Sequence, residues 1–150
     1  LSCETIFLNQ LRKCGLRLTP QREMILFALH QIGHPAPAEE LLALVAERSA
    51  SVELSTIYRT LDLLSSMNLV SVIDKGDKQR LYELVGTESP HIHLVCRECG
   101  KIIPVQIDLF QPLLSRLEDQ AHFQVDLSKL TISGLCEECK QAELLEIPSA

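Results

Sequence analysis

Four of the six cysteines fall in two C-x2-C pairs, Cys96-Arg97-Glu98-Cys99 and Cys136-Glu137-Glu138-Cys139. No other feature restricts the fold of the second half so tightly. A two-residue gap lets both thiolates of a pair face one ion, and two pairs complete the tetrahedral shell that Zn²⁺ prefers. Residues 100–135 lie between the pairs, more than a compact zinc ribbon holds. They have room for a strand (101–107), a helix (109–121, with Pro112 in its first turn) and strands near 123–127 and 129–134. A site closed by four thiolates has no open position, so it ties the end of this domain to its beginning. Cys96 and Cys99 alone would also suit a redox pair, and separate disulfides are a weaker reading for a cytosolic chain. Cys3 and Cys14 read as ordinary helix residues.

The first half has a different rhythm. Residues 4–14 suit a short helix. Thr19-Pro20 then reads as a helix start, with Thr19 accepting from a free backbone N–H and Pro20 at the first helical position. Ile25, Leu26, Ala28, Leu29 and Ile32 follow at the spacing of one helical face, and Gly33-His34-Pro35 ends it. A second helix opens near Pro37 and turns Leu41, Leu42, Leu44 and Val45 inward. A third, with Ser55 as its expected cap, presents Ile57, Leu61 and Leu64 to the core. The period then changes to that of strands: Leu69–Ile73, a turn at 74–77, and Arg80–Val85. Three short helices and a hairpin make a winged helix-turn-helix. The expected fold is therefore α+β: a winged-helix DNA-binding domain at 1–85, a polar hinge at 86–90, and a small α/β domain at 91–150 holding the four-cysteine zinc site.

Charge bears on the DNA reading. The chain carries a net charge of -6, but residues 1–85 hold nine Lys/Arg against ten Asp/Glu, so the acidity lies in the second half. A near-neutral module binds DNA if its cations gather on one surface. Although 46% of residues are hydrophobic, no apolar run approaches the ~18 residues of a membrane span. No charged-then-apolar leader opens the sequence, and a cytoplasmic location is expected.

His91-Ile92-His93 precedes the first cysteine pair. Alternating residues of a strand point the same way, so both imidazoles can meet one metal. An exposed polar pair in a loop is the plainer reading. The chain has only five histidines, and two of them stand beside a thiolate site.

Arg17-Leu18-Thr19-Pro20-Gln21-Arg22, Ser55-Thr56-Ile57-Tyr58-Arg59-Thr60-Leu61 and His91-Ile92-His93-Leu94-Val95-Cys96-Arg97-Glu98-Cys99-Gly100 resemble the ferric uptake regulator family in order and spacing. The resemblance covers roughly residues 5–140 and includes the second cysteine pair. It implies a homodimeric transcription regulator that binds palindromic, A/T-rich double-stranded DNA when a regulatory metal sits at the domain hinge. It carries over His34, Glu83, His91 and His93 as that metal's ligands, with Cys96, Cys99, Cys136 and Cys139 holding a structural zinc. It also places DNA contacts on Tyr58 and Arg59.

Elementary geometry agrees with those contacts. The N-terminal turn of a recognition helix enters the major groove, which leaves Thr56, Tyr58, Arg59 and Thr60 near the bases. Arg59 can donate to guanine O6/N7, and Tyr58 can touch a thymine methyl or a phosphate. Arg17, Thr19 and Arg22 would lie by the DNA backbone or minor groove, and Lys75, Lys78 and Arg80 would carry the wing.

Three positions depart from the family. Pro104 stands where an acidic ligand is common, and Gln111 and Ser128 replace the Glu and His of a further site, which Asp108 or His122 would have to rebuild. Three imidazoles and one carboxylate suit tetrahedral zinc better than an O-rich octahedral metal. The stretch Gly100-Lys101-Ile102-Ile103-Pro104 is similar to the zinc uptake regulator branch, so zinc is the expected regulatory metal. Iron, or a peroxide-responsive regulator, is the alternative. A zinc hydrolase lacks an H-E-x-x-H and a placed general base, so no enzyme is expected. A zinc-stabilised interaction module without DNA binding is the competing reading from another class.

Overall fold

In a computed structural model, the described residues are 9, 11–13, 15, 17–76, 79–85, 91–127 and 130–145. Cys3, Cys14, Lys78, Ser128 and the hinge expected at 86–90 lie outside them. So does most of the helix expected over 4–14, of which Asn9 and residues 11–13 are helical. The chain divides into two compact units, Leu1–Val72 with Arg80–Glu88, and Ile73–Gln79 with Ser89–Ala150. The fold is α+β in two domains, with a cysteine cluster in the second.

The first unit begins with α1 (Pro20–Ile32), α2 (Ala38–Ala46) and α3 (Leu54–Ser66). Thr19 caps α1 as its sequence predicts, its Oγ1 accepting from the Arg22 N–H at 3.4 Å, with Pro20 opening the helix. Gly33 closes α1 at φ 65°, in the left-handed region that a side chain resists. Ser55 does not cap α3. That helix starts at Leu54 with Glu53 at the cap position and no side-chain cap bond, so Ser55 lies inside its first turn.

Ile25, Leu41, Val45, Ile57, Leu61 and Leu64 are essentially inaccessible to solvent. Each such side chain contributes about 1.5–3 kcal/mol by leaving water. Leu42 and Leu44 pack at the margin of this core rather than within it. Strands β1 (Val70–Asp74) and β2 (Arg80–Leu84) form a two-stranded sheet. Tyr82 and Ala36 exchange backbone hydrogen bonds of 2.8 and 3.1 Å. The bridge lays the loop after α1 antiparallel beside β2.

The second unit contains a three-stranded sheet in the order β4-β3-β5, where β3 is His91–Cys96, β4 Ile102–Gln106 and β5 Thr131–Gly134. β3 pairs antiparallel with β4 and parallel with β5. A 3₁₀ turn (Ile107–Phe110) leads into α4 (Gln111–Ala121), with Pro112 in its first turn as expected. The strand expected near 123–127 does not form. α4 ends at His122, held at φ 50° with its N–H bonded to the Glu118 carbonyl, and residues 123–126 are irregular. Alternating apolar residues make no strand without a partner ladder, and none of the described strands forms a ladder with this segment. A helix not read from the sequence, α5 (Glu137–Leu145), follows β5. No described helix is long and apolar enough to cross a membrane.

Candidate metal centre and nucleic-acid interface

The four cysteines converge because β3 and β5 run parallel. Cys96, the last residue of β3, stands opposite Gly134, the last of β5. Both strands therefore deliver their C-terminal ends to the same edge, and Cys136 follows two residues on. After β3 the chain turns tightly: the Cys96 N–H bonds the Lys101 carbonyl and the Gly100 N–H the Cys96 carbonyl, both at 2.9 Å. Gly100 makes that turn at φ 72°. On the other side, α5 starts just after Cys136 and carries Cys139 back towards the first pair.

The four sulfurs lie within 4.8 Å of one another. A tetrahedron with Zn–S bonds of 2.3 Å has edges of about 3.8 Å, and Cys99 and Cys136 are 3.7 Å apart at sulfur. Donor number, type and spacing all fit zinc. Cys96 and Cys136 are buried and Cys139 half-buried, while Cys99 faces solvent.

Hydrogen bonding divides the thiols. The backbone N–H groups of Cys99 and Cys136 draw Cys96 down to about 6. The Cys136 N–H lies 3.4 Å from its sulfur. Bonding to the Cys136 and Cys99 sulfurs pushes Cys139 up to about 12. Outside the sulfurs, Lys101 donates to Glu138 at 2.9 Å and spans the two pairs.

His91 and His93 occupy one face of β3, their ring centroids 4.8 Å apart and nearly perpendicular. His93 is buried and His91 half-buried. The residue opposite His93 on β4 is Pro104. His34 and Glu83 belong to the first unit, His34 two residues before Ala36 and Glu83 one after Tyr82, so the Ala36–Tyr82 bridge sets their backbones side by side. His34 donates from Nδ1 to the Pro35 carbonyl at 3.1 Å, and its Nε2 lies 3.7 Å from a Glu40 oxygen. Gln111, Asp108 and His122 are exposed, and among the described residues none joins a cluster of three potential ligands.

On α3, Tyr58 and Arg59 are exposed and Thr56 half-buried, as an interface requires. Thr60 is not available to it: the side chain is 4% exposed and faces the core with Ile57 and Leu61. Arg17 and Arg22 are linked, the Arg22 guanidinium donating to the Arg17 carbonyl at 2.9 Å. Thr19 spends its oxygen on the helix cap. Arg80 is exposed at the start of β2, and Lys75 is half-buried.

The family model described as the ferric uptake regulator family matches residues 13–133. The chain belongs to the ferric uptake regulator family. The ferric uptake regulation protein of Bacillus subtilis (strain 168) is 36% identical over 139 residues, 90% of this chain and 93% of that protein. The peroxide operon regulator of the same organism is 31% identical over 141 residues, covering 91% and 92%. The solved ferric uptake regulator of Helicobacter pylori, described as having three functional metal binding sites, superposes with a TM-score of 0.68. It is 25% identical, with 91% of this chain and 90% of that chain covered. As a member of the family, the chain is a metal-responsive, DNA-binding, dimeric transcription regulator and not an enzyme.

One contact near α3 escaped sequence reading. Tyr58 donates to Glu39 of α2 at 3.0 Å. The two residues are far apart in sequence and no spacing rule pairs them; only the packing of α2 on α3 does.

Proposed function

We propose that this regulator senses zinc and controls zinc homeostasis genes in the cytoplasm. His34, Glu83, His91 and His93 hold the regulatory ion, and Cys96, Cys99, Cys136 and Cys139 hold a second, structural zinc. The observation carrying the metal assignment is the pairing of His93 with Pro104, which sets a ring without donor atoms where a carboxylate would add oxygen. Three imidazoles and one carboxylate remain, a set suited to tetrahedral zinc.

The ligands divide between residues 1–85, the winged helix, and 91–150, the dimer-forming part. An ion bound by both favours the conformer whose two recognition helices fit successive major grooves of a palindromic A/T-rich operator. A complete switch asks for about 5.5 kcal/mol of differential binding. Arg59 and Tyr58 read the groove from α3, Thr56 supports them, and Arg17, Thr19 and Arg22 meet the DNA backbone.

Zinc per chain, measured on reduced protein before and after dialysis against a moderate chelator, tests this. The reading expects a fall from about two to about one. A constant value of one means that only the thiolate site binds zinc tightly, and zinc sensing is then wrong. Iron is the second reading, favoured by the 36% identity to a ferric uptake regulation protein. Peroxide sensing is favoured by the 31% identity to a peroxide operon regulator. His34→Ala should weaken metal-dependent DNA binding and leave the structural zinc in place; intact regulation removes His34 from the site.

A further inference from the structure

Tyr58 is held from two sides. Its hydroxyl donates to Glu39 Oε1 at 3.0 Å, and its ring stands edge-on to Tyr82 with centroids 6.4 Å apart. A phenol has one proton to donate, and here Glu39 takes it. Burial and the Glu39 bond both hold the Tyr58 hydroxyl above its ordinary range, so it stays a neutral donor.

A DNA phosphate reaching for this hydroxyl meets two obstacles. The proton is already engaged, and the group engaging it is a carboxylate. Like charges about 4 Å apart in water cost roughly a fivefold factor in binding. The ring carries no such penalty towards a base edge, where a thymine methyl offers apolar contact. Of the two contacts open to Tyr58, Glu39 closes the one that carries no sequence information.

We infer that Glu39 is a specificity-determining residue: it denies the Tyr58 hydroxyl to phosphate and leaves the ring to meet bases. The inference rests on α3 being the recognition helix. Glu39 itself touches no base, and its charge acts by making non-cognate, phosphate-only binding weaker.

The test uses the full chain loaded with Zn²⁺. One duplex is enriched from a random-sequence library by the wild-type protein, and the other is a scrambled duplex of the same composition. Kd is measured for both over a range of salt. Glu39→Gln keeps an oxygen acceptor for Tyr58 and removes the charge. It should tighten binding to the scrambled duplex by about fivefold at low salt. The gain should shrink as salt rises, with a smaller change on the selected duplex, so the ratio of the two affinities falls. Tyr58→Phe removes a hydroxyl that phosphate does not use, so it should not weaken binding to the scrambled duplex. Equal tightening of both duplexes by Glu39→Gln overturns the inference. So does equal weakening of both by Tyr58→Phe, because the hydroxyl would then be a phosphate donor. Arg59→Ala separates the two levels: if it leaves the selected duplex bound as before, α3 is not the recognition helix and the functional reading falls as well.

Discussion

His93 and Pro104 stand directly opposite each other in the β3–β4 ladder. Residues so placed present their side chains to the same face, with Cβ atoms about 4.5–5.5 Å apart. Whatever occupies position 104 is therefore a direct cross-strand neighbour of a proposed metal ligand. Proline suits β4 because that strand is at the sheet edge, where a missing N–H is tolerated.

Pro104→Asp would put a carboxylate beside the His93 imidazole. The altered set is richer in oxygen, so the variant should bind Mn²⁺ or Fe²⁺ more tightly relative to Zn²⁺ than the parent does. Competition titrations on protein already holding its structural zinc measure this. An unchanged preference would mean that position 104 does not reach the ion.

Cys136→Ser should remove the structural zinc and unfold the second unit, because three thiolates leave the tetrahedral shell incomplete. Structural zinc supplies about 10–16 kcal/mol in small domains, far more than the exposed helices α4 and α5 can replace. Zinc content per chain should fall by one equivalent and the dimer should dissociate in sedimentation. Full zinc retention would show that Cys136 is not a ligand.

Zinc loading should release fewer protons than four ordinary thiols would. Near pH 7.5 a free cysteine is mostly protonated, but Cys96, drawn down to about 6, is already a thiolate. Cys139, pushed up to about 12, must give up its proton on binding. Because protons compete with the ion, affinity should fall as pH drops, and more steeply once the pH passes below about 6, where Cys96 is protonated as well. Calorimetry in buffers of different ionisation enthalpy counts the protons. Release of four per zinc at pH 7.5 would contradict the depressed Cys96.

Thr19→Ala should cost about 1 kcal/mol through loss of the α1 cap, read as a lower urea midpoint in the absence of DNA. Thr19→Ser keeps the oxygen and should restore most of it. If alanine leaves the midpoint unchanged, the 3.4 Å bond from Arg22 contributes nothing. Any effect on DNA binding would then be a direct contact.

Much of this protein follows from sequence by itself, because its strongest signals are local. The Thr19-Pro20 start, the Gly33 stop and the 3.6-residue spacing of Ile57, Leu61 and Leu64 each act within one or two turns of backbone. The two C-x2-C pairs state their chemistry in four residues each. The histidine pair needed only the two-residue period of a strand. Tertiary structure decided what depends on distant partners. The parallel pairing of β3 with β5 brings Cys96 and Cys136 to one edge. The crowding of Thr60 into the core removes it from the DNA face, and the packing of α2 on α3 sets Glu39 against Tyr58. The failed strand at 123–127 makes the same point, since an alternating pattern becomes a strand only where another strand offers its backbone. Spacing along the chain determines which groups a segment can present. Which groups meet depends on contacts between segments, and no local pattern encodes those.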